Sequence, residues 1–331
     1  MQFNNTREDV ENQETEILHD YTKSGKERPW KEKKLSNMSY VEILTMLQIK
    51  KAKNVRECGK VLEFKAQDDG YLKLYKTWFC KSKLCPVCNW RRAMKNSWQA
   101  QRVVEEVIKE KPKARWLFLT LSNRNSIDGL SMDQSIREMT KAFDKLVKYK
   151  KVNKNLIGFM RTTEVTVNKQ DGSYNQHIHV LICVEPTYFK GKENYIEQAE
   201  WVQLWRRALK INYEPVAHVK AIKPNKKNDS AIVSAIKETS KYSVKESDYL
   251  TDDVEKNKEI IADLEQGLHR KRMIAYGGLL KIMHKKLNLD DAEDGNLIQT
   301  SSEDEKISEE EAKANSIIAV WNFEKQNYFL K

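Results

Sequence analysis

Apolar side chains recur at two spacings along the chain, and the wider spacing predicts amphipathic helices. In residues 131–152, for example, Met132, Ile136 and Met139 fall on one face of a helix with 3.6 residues per turn. The same pattern predicts helices over residues 39–50, 131–152, 195–211, 229–246 and 254–285.

Short runs of apolar and β-branched residues predict strands over residues 115–123, 161–168, 176–184 and 216–224. The second and third runs are separated by "KQDGSY", whose Asp-Gly pair is typical of a tight hairpin turn. The order strand, helix, hairpin, helix, strand, helix favours an α+β fold, in which helices pack on one face of a central antiparallel sheet.

The composition indicates a charged protein that attracts polyanions. The chain of 331 residues carries a net charge of +11, although residues 290–313 contain ten carboxylates and only two lysines. The rest of the chain is therefore more basic than the total, which is typical of nucleic-acid binding, although a merely lysine-rich surface would give the same total. The chain contains no membrane-length apolar run and no signal-peptide layout, so we expect a cytoplasmic protein without a membrane partner.

These patterns divide the chain into five segments. We expect a disordered N-terminal tail over 1–38, a helix and cysteine-bearing region that contacts DNA over 39–110, and the main α+β domain over 111–289. An acidic linker then covers 290–314, and a final segment docked on the protein covers 315–331.

Four of the five cysteines have the spacing of a metal site. Cys85 and Cys88 are separated by two residues, Cys80 precedes them closely, and Cys58 lies further upstream. Two thiolates at that separation can turn onto one tetrahedral ion, whereas disulfides do not persist in a reducing cytosol. We therefore predict a structural Zn²⁺ site closed by four thiolates, in a small N-terminal zinc ribbon. Cys183, alone on a predicted strand, is expected to be a core residue.

A run of basic and aromatic residues follows the cysteines. Arg91, Arg92 and Lys95 lie between Trp90 and Trp98, and such interleaving suits phosphate contact and base stacking. We predict that these three basic residues contact DNA. The alternative is that both tryptophans pack against the ribbon while the basic side chains are solvated.

Two histidines, His177 and His179, lie one residue apart on a predicted strand. Residues i and i+2 of a strand point to the same face, so both imidazoles can share one divalent cation. Across the Asp-Gly hairpin, Glu164 falls where a carboxylate could complete the set. Two histidines and one carboxylate leave open coordination positions, as a Lewis-acid site requires. The alternative is a hydrogen-bonded histidine pair on an exposed sheet face.

A tyrosine and two charged residues share one face of the predicted helix 229–246. Glu238, Tyr242 and Lys245 have i, i+4 and i+7 spacing. A neighbouring cation lowers the free-energy cost of forming phenolate, which makes tyrosine a usable nucleophile. Glu238 is near enough in this arrangement to act as a base on Tyr242 or on a water molecule. The alternative is a surface ion pair of Glu238 with Lys241 beside a half-buried tyrosine.

Taken together, these motifs resemble the rolling-circle plasmid replication initiators of the HUH endonuclease superfamily, in the class with one catalytic tyrosine and a glutamate four residues before it. The stretches that carry the resemblance are "CKSKLCPVCNWRR", "WLFLTLSN", "RTTEVTV", "YNQHIHVLICV" and "ETSKYSVK". The resemblance covers roughly residues 54–285 and the last fifteen residues. It implies the HUH endonuclease fold, a ferredoxin-like or RRM-like sheet with flanking helices, for the segment 111–289.

The resemblance also implies roles for the site residues. His177 and His179 would bind catalytic Mg²⁺ or Mn²⁺, with Glu164 as a third ligand. Tyr242 would nick the double-strand origin of a plasmid, at a site presented as single-stranded DNA, and would leave a 5′-phosphotyrosyl adduct and a free 3′-hydroxyl primer. Glu238 would activate water for the second cleavage, which ends one round of copying.

Lys245 would lie near the phosphate or the metal, and Ser122 stands where the first-strand motif of the family usually ends in threonine. The implied partners are origin DNA and the host helicase, DNA polymerase and single-strand binding protein, and a second copy of the chain is a further candidate.

Two other hypotheses remain at this point: a related single-tyrosine transposase, and a non-catalytic zinc-ribbon DNA-binding protein that regulates copy number. A zinc hydrolase is weaker, because His218 lies on a different strand.

Overall fold

The computed structural model describes residues 16–67, 70–222, 230–240, 243–291, 293–301 and 316–331. The chain divides into two compact units, of which the first comprises Met1–Arg91 with Asn296–Lys331 and the second comprises Arg92–Gly295. No helix within the described ranges has the length and apolar character that crossing a membrane requires.

The helices and strands are numbered here in chain order. The described helices are α1 (Trp30–Met46), α2 (Ala52–Glu57), α3 (Pro86–Glu110), α4 (Gly129–Leu146), α5 (Lys150–Asn153), α6 (Gln198–Leu209), α7 (Ser230–Thr239), α8 (Val254–Gly267) and α9 (Gly278–Lys286). The described strands are β1 (Val61–Ala66), β2 (Leu72–Thr77), β3 (Arg115–Ser122), β4 (Leu156–Val167), β5 (Tyr174–Val184), β6 (Ala217–Ile222), β7 (Ile274–Gly277), β8 (Ser316–Asn322) and β9 (Asn327–Leu330).

The second unit is built on one antiparallel sheet with the strand order β6-β3-β5-β4-β7. The predicted α+β class and the predicted hairpin of β4 and β5 are confirmed. In the register of that hairpin, Glu164 lies opposite His177 and Thr162 lies opposite His179. On the other side of β5, Thr120 of β3 also lies opposite His179.

Helices cover both faces of this sheet, so the expectation of helices on one face was wrong. One core contains Ile178 and Val180 of β5 with apolar residues of α4 and α6. The other core contains Leu181 and Cys183 of β5 with apolar residues of α3, α7 and α9. Since alternate residues of a strand face opposite sides, β5 is apolar on both faces beyond its first residues, as a strand between two helical layers must be.

The predicted helix over 254–285 is in fact α8, β7 and α9. Helix α8 ends at Gly267, and α9 begins at Gly278, which has φ +57°, a backbone conformation that side chains with a Cβ rarely adopt. A Cβ at Gly278 would lie 2.4 Å from the carbonyl oxygen of Ile157. The chain therefore approaches β4 closely at this point, and β7 adds to the edge of β4 before α9 begins.

The first unit contains a four-stranded antiparallel sheet in the order β2-β1-β8-β9. The predicted disorder over 1–38 was wrong for its described part, because α1 begins at Trp30 and not at residue 39. Two contacts hold the chain in front of this helix. Arg28 donates to the buried carboxylate of Asp20 at 2.7 Å, and the indole N–H of Trp30 donates to the same carboxylate at 2.7 Å.

Candidate functional site

The structure brings Glu164, His177 and His179 together on one face of the second sheet. Their ligand atoms all lie within 4.8 Å of one another, and Nε2 of His179 is 2.9 Å from Oε2 of Glu164. The proximity follows from the hairpin register, which places Glu164 directly across from His177. The imidazole rings of the two histidines are stacked with their centroids 5.8 Å apart.

Two residues of β3 support His179 from its other side. The hydroxyl of Thr120 is 3.2 Å from Nδ1 of His179, and the ring of Phe118 stacks on the imidazole at 5.7 Å between centroids. A hydrogen bond to one ring nitrogen determines which nitrogen is left to bind a cation. Sequence reasoning missed both supporting residues, although their alternate positions in "FLTLS" place them on the same face as the histidines.

The charges at this cluster suit a cation. Burial alone would raise the pKa of Glu164, but the hydrogen bond and charge of His179, together with the charge of Lys245, hold it below its usual value. Burial and the neighbouring His179 lower the pKa of His177. The cluster therefore contains a carboxylate and a neutral imidazole at neutral pH, which are the forms that coordinate a divalent metal.

One atom of the cluster is left without a hydrogen bond. Nδ1 of His177 is buried and has no hydrogen-bond partner among the residues that the structure describes. A buried polar atom without a partner costs free energy, and such atoms are rare in folded proteins. The oxygen and nitrogen donors of this cluster, one of them unsatisfied, fit Mg²⁺ or Mn²⁺.

The prediction that Glu238 and Lys245 lie on one helix was wrong. Helix α7 ends at Thr239, and Lys245 precedes the short 3₁₀ helix Glu246–Asp248 with extended backbone angles of φ −78° and ψ 138°. Tyr242, the predicted nucleophile, lies outside the described residues. Glu238 lies in the last turn of α7 and is half-buried.

The chain after residue 242 nevertheless returns to the histidine cluster. The backbone N–H of Val165 donates a hydrogen bond to the carbonyl of Ser243 at 2.8 Å. Ser243 is therefore hydrogen-bonded to the residue that follows Glu164. Lys245 is close enough for its charge to lower the pKa of Glu164.

The four predicted zinc ligands also lie together, in the first unit. The ligand atoms of Cys58, Cys80, Cys85 and Cys88 lie within 4.8 Å of one another. Sγ of Cys58 is 3.4 Å from Sγ of Cys88 and 3.6 Å from Sγ of Cys85, and Sγ of Cys80 is 3.7 Å from Sγ of Cys88.

These spacings match a tetrahedral metal site and exclude disulfides, whose sulfurs are about 2.05 Å apart. Four sulfurs at about 2.3 Å from one Zn²⁺ lie about 3.8 Å from one another. Burial, followed by the neighbouring sulfurs, raises the pKa of Cys88 well above its usual value. A cation at the centre removes this penalty, because coordinated thiols lose their protons.

The basic residues predicted to contact DNA are buried, so that prediction was wrong. Arg91 is 1% exposed and donates to the carbonyls of Leu297 at 2.9 Å and Ile298 at 2.5 Å. Arg92 donates to the carbonyl of Glu293 at 3.3 Å. These basic residues face the interior, and their hydrogen-bond acceptors are carbonyl groups of the same protein.

Lys95 is also buried, and the residue that it pairs with shows that a second prediction was wrong. Its side chain is 1% exposed and its ammonium lies 2.5 Å from the carboxylate of Asp290. Glu293, from the same acidic stretch, accepts hydrogen bonds from the backbone N–H groups of Met273 and Ile274. The beginning of the segment 290–314 is therefore a bound element and not a solvated linker.

The arrangement defines a class of protein with two candidate metal centres, one of oxygen and nitrogen donors on an antiparallel sheet and one of four thiolates in a separate unit. A family described as "Replication protein" matches residues 71–329 of this chain. The chain belongs to this family of plasmid replication initiators.

Several curated relatives are named "Protein rep" or "Replication protein". "Protein rep" of Lactiplantibacillus plantarum is 50% identical over 317 residues, which are 96% of this chain and 99% of that protein. "Replication protein" of Staphylococcus aureus is 57% identical over 238 residues, which are 72% of this chain and 100% of that protein. "Protein rep" of Streptococcus pneumoniae serotype 2 (strain D39 / NCTC 7466) is 43% identical over 324 residues, with 97% of both chains covered. No solved structure matches the chain significantly.

Proposed function

We propose that this replication initiator starts rolling-circle copying by nicking one strand of the plasmid origin and joining itself to the DNA. The observation that carries the proposal is the cluster of Glu164, His177 and His179. Ser243, the residue after Tyr242, lies next to this cluster because its carbonyl accepts a hydrogen bond from the backbone N–H of Val165. The antiparallel sheet with the paired histidines on a central strand supports an HUH-type nicking domain.

In this proposal His177, His179 and Glu164 hold Mg²⁺ or Mn²⁺. A metal bound there would supply Lewis-acid chemistry, which would make the phosphorus of the scissile phosphate more electrophilic. Thr120 and Phe118 hold the ring of His179 in place, and the charge of Lys245 lies beside the carboxylate of Glu164. Positioned charges of this kind stabilise the negative charge that develops as the phosphodiester reacts.

The reaction forms one bond and breaks one bond. The phenol oxygen of Tyr242 gives up its proton and forms a bond to phosphorus, while the bond from phosphorus to the 3′ oxygen breaks. The 3′ oxygen takes up a proton and becomes the hydroxyl that primes synthesis by a host polymerase. The ester between tyrosine and the 5′ phosphate conserves the phosphodiester bond for later transfer.

Glu238 would serve the second cleavage, which ends a round of copying. It lies in the last turn of α7, a helix that packs on the same face of the sheet as the histidines, since Leu181 and Cys183 face α7. A carboxylate in this region can take the proton of a water molecule, which then replaces the tyrosine as nucleophile.

The cysteine cluster is proposed to hold a structural Zn²⁺. Four thiolates close the coordination shell and leave no position for a substrate or water. The cluster joins Cys58, which ends α2, to Cys85 and Cys88 at the start of α3. A metal there would link these elements of the first unit to one another.

A cleavage assay with a labelled origin strand tests the proposal directly. A single-stranded oligonucleotide that spans the nick is incubated with the protein and Mn²⁺, and the covalent adduct is digested and mapped by mass spectrometry. We expect a DNA-linked peptide that contains Tyr242. Origin binding without any adduct would instead support the non-catalytic copy-number regulator, and direct joining of two DNA ends without hydrolysis would support a transposase.

Substitution of His177 by alanine is expected to lower the rate of adduct formation by at least about a hundredfold, because the metal loses a ligand. Affinity for duplex origin DNA should stay within about threefold, since duplex binding rests on basic residues elsewhere. His269→Ala removes an exposed histidine from the same unit and is the matched control. Rapid adduct formation by His177→Ala would exclude the histidine from the site.

Substitution of Glu238 by alanine is expected to separate the two cleavages. The first cut and the adduct should form within about threefold of the normal rate, because the tyrosine remains. Release of the DNA by hydrolysis should slow by about a hundredfold or more, as is usual when a general base is removed. Single-turnover kinetics with a substrate that carries both cleavage sites would measure both steps, with the exposed Glu255→Ala as control. Loss of the first cut would contradict this role.

A further inference from the structure

Two fully buried polar side chains of α1 lie beside the cysteine cluster. Lys34 and Asn37 are each 0% exposed, and their spacing of three residues places them on the same face of the helix. Lysine is almost never fully buried unless it is paired, because removing an ammonium group from water costs several kcal/mol. The contacts of these two side chains therefore need a reason.

The ammonium group of Lys34 fixes the backbone that carries one cysteine. Its Nζ donates to the carbonyl of Arg56 at 2.6 Å, to the carbonyl of Cys58 at 2.7 Å and to Oδ1 of Asn37 at 3.1 Å. These carbonyls lie at the C-terminal end of α2, where a helix leaves carbonyl groups without intrahelical partners. A cation at that end also interacts favourably with the helix dipole.

Asn37 contacts a second cysteine directly. Its amide Nδ2 donates to Sγ of Cys85 at 3.4 Å and to the carbonyl of Val55 at 3.1 Å. A hydrogen bond from an amide to a thiolate stabilises the electron density on sulfur and changes the properties of a bound metal. Because its Oδ1 accepts a hydrogen bond from Lys34, Asn37 links the sulfur of Cys85 to the buried ammonium group.

Four thiolates around one Zn²⁺ carry a net charge of −2, which is expensive in a buried site. We propose that Lys34 and Asn37 form the outer shell of the cysteine centre, in which Lys34 offsets part of this charge and Asn37 stabilises the thiolate of Cys85. This inference rests on the proposed structural zinc centre. It makes α1 part of the metal site, so that metal binding and the docking of α1 depend on each other.

Zinc competition with a chromophoric chelator tests the role of Lys34 in the full-length protein. Lys34→Met keeps the length and apolar stem of the side chain and removes the charge. We expect its zinc affinity to fall by about 10- to 100-fold, as is typical when an outer-shell partner of a metal ligand is removed. Lys31→Met removes an exposed lysine from the same helix and should leave the affinity within about twofold.

A spectrum tests the role of Asn37 without reference to stability. In protein loaded with Co²⁺, the thiolate-to-metal charge-transfer band of Asn37→Leu should shift to longer wavelength, because the sulfur of Cys85 loses its hydrogen bond and becomes the easier electron donor. A variant that was only less stable would keep the band position. This measurement also decides the proposal if Lys34→Met cannot be obtained as a folded protein.

The outcomes separate the two levels of the proposal. A wild-type protein that takes up no zinc overturns the structural centre and the outer shell together. Zinc uptake by the wild-type protein, with unchanged affinity in Lys34→Met and an unchanged Co²⁺ spectrum in Asn37→Leu, overturns the outer shell alone.

Discussion

Replacement of Tyr242 by phenylalanine is expected to abolish the covalent protein–DNA adduct and to lower the rate of strand cleavage by at least about a thousandfold. The substitution removes one oxygen atom, and that oxygen is the proposed nucleophile. Duplex origin binding and the unfolding temperature should be unchanged. A labelled oligonucleotide that spans the nick, resolved by denaturing gel after single-turnover reaction, measures both adduct and cleavage.

The control for this prediction is another tyrosine of the same unit. Tyr195 is 42% exposed and lies after β5, so Tyr195→Phe should form the adduct at the normal rate. If Tyr242→Phe still cleaves the strand at the wild-type rate, the chain uses another nucleophile and the proposed chemistry fails. If cleavage persists while the adduct disappears, the enzyme hydrolyses the strand directly and cannot conserve the bond for transfer.

The histidine cluster could be predicted from the sequence because two local rules determine it. The period of two along a strand places His177 and His179 on one face, and the Asp-Gly turn sets the hairpin register that brings Glu164 opposite His177. The contribution of β3 was harder to see. Thr120 contacts His179 only because β3 pairs with β5. The sequence of a strand does not determine which distant strand it pairs with.

The basic run after the cysteines shows the opposite case. Its composition predicts a surface that binds phosphate, but Lys95 pairs with Asp290, 195 residues further along the chain. A local pattern of charge cannot tell whether its counter-charge comes from DNA or from the same protein. The acidic stretch over 290–313 was visible in the sequence, and an excess of carboxylates of that size was the one signal that internal partners existed.

The helical stripe of Glu238 and Lys245 failed for a related reason. Apolar and polar spacing continues as if the helix ran on, yet α7 ends at Thr239, and the carbonyl of Ser243 accepts a hydrogen bond from the backbone N–H of Val165 in β4. Tertiary hydrogen bonds of this kind override helix propensity, which is worth less than about 1 kcal/mol per residue. Lys245 is near enough to Glu164 to lower the pKa of that carboxyl, but it does not lie on the helix that the spacing predicts.

Removal of one cysteine ligand is expected to unfold the metal-binding part of the first unit. Cys85→Ser keeps the shape of the side chain but replaces the sulfur that contacts Cys58 at 3.6 Å and accepts a hydrogen bond from Asn37. Structural zinc sites contribute on the order of 10 kcal/mol of binding free energy to folding. A loss of even about 3 kcal/mol lowers the unfolding temperature by about 10 °C.

The measurement combines zinc stoichiometry with a local probe of folding. Trp30 and Trp90 are in edge-to-face contact at 4.8 Å in the first unit, so their fluorescence reports on its unfolding. A chelator should lower the unfolding temperature of the wild-type protein to that of Cys85→Ser and should have no further effect on the variant. Cys183→Ala, in the sheet of the second unit, is the control and should retain one zinc per chain. Equal zinc content in Cys85→Ser and the wild-type protein would show that the four sulfurs do not form a metal site.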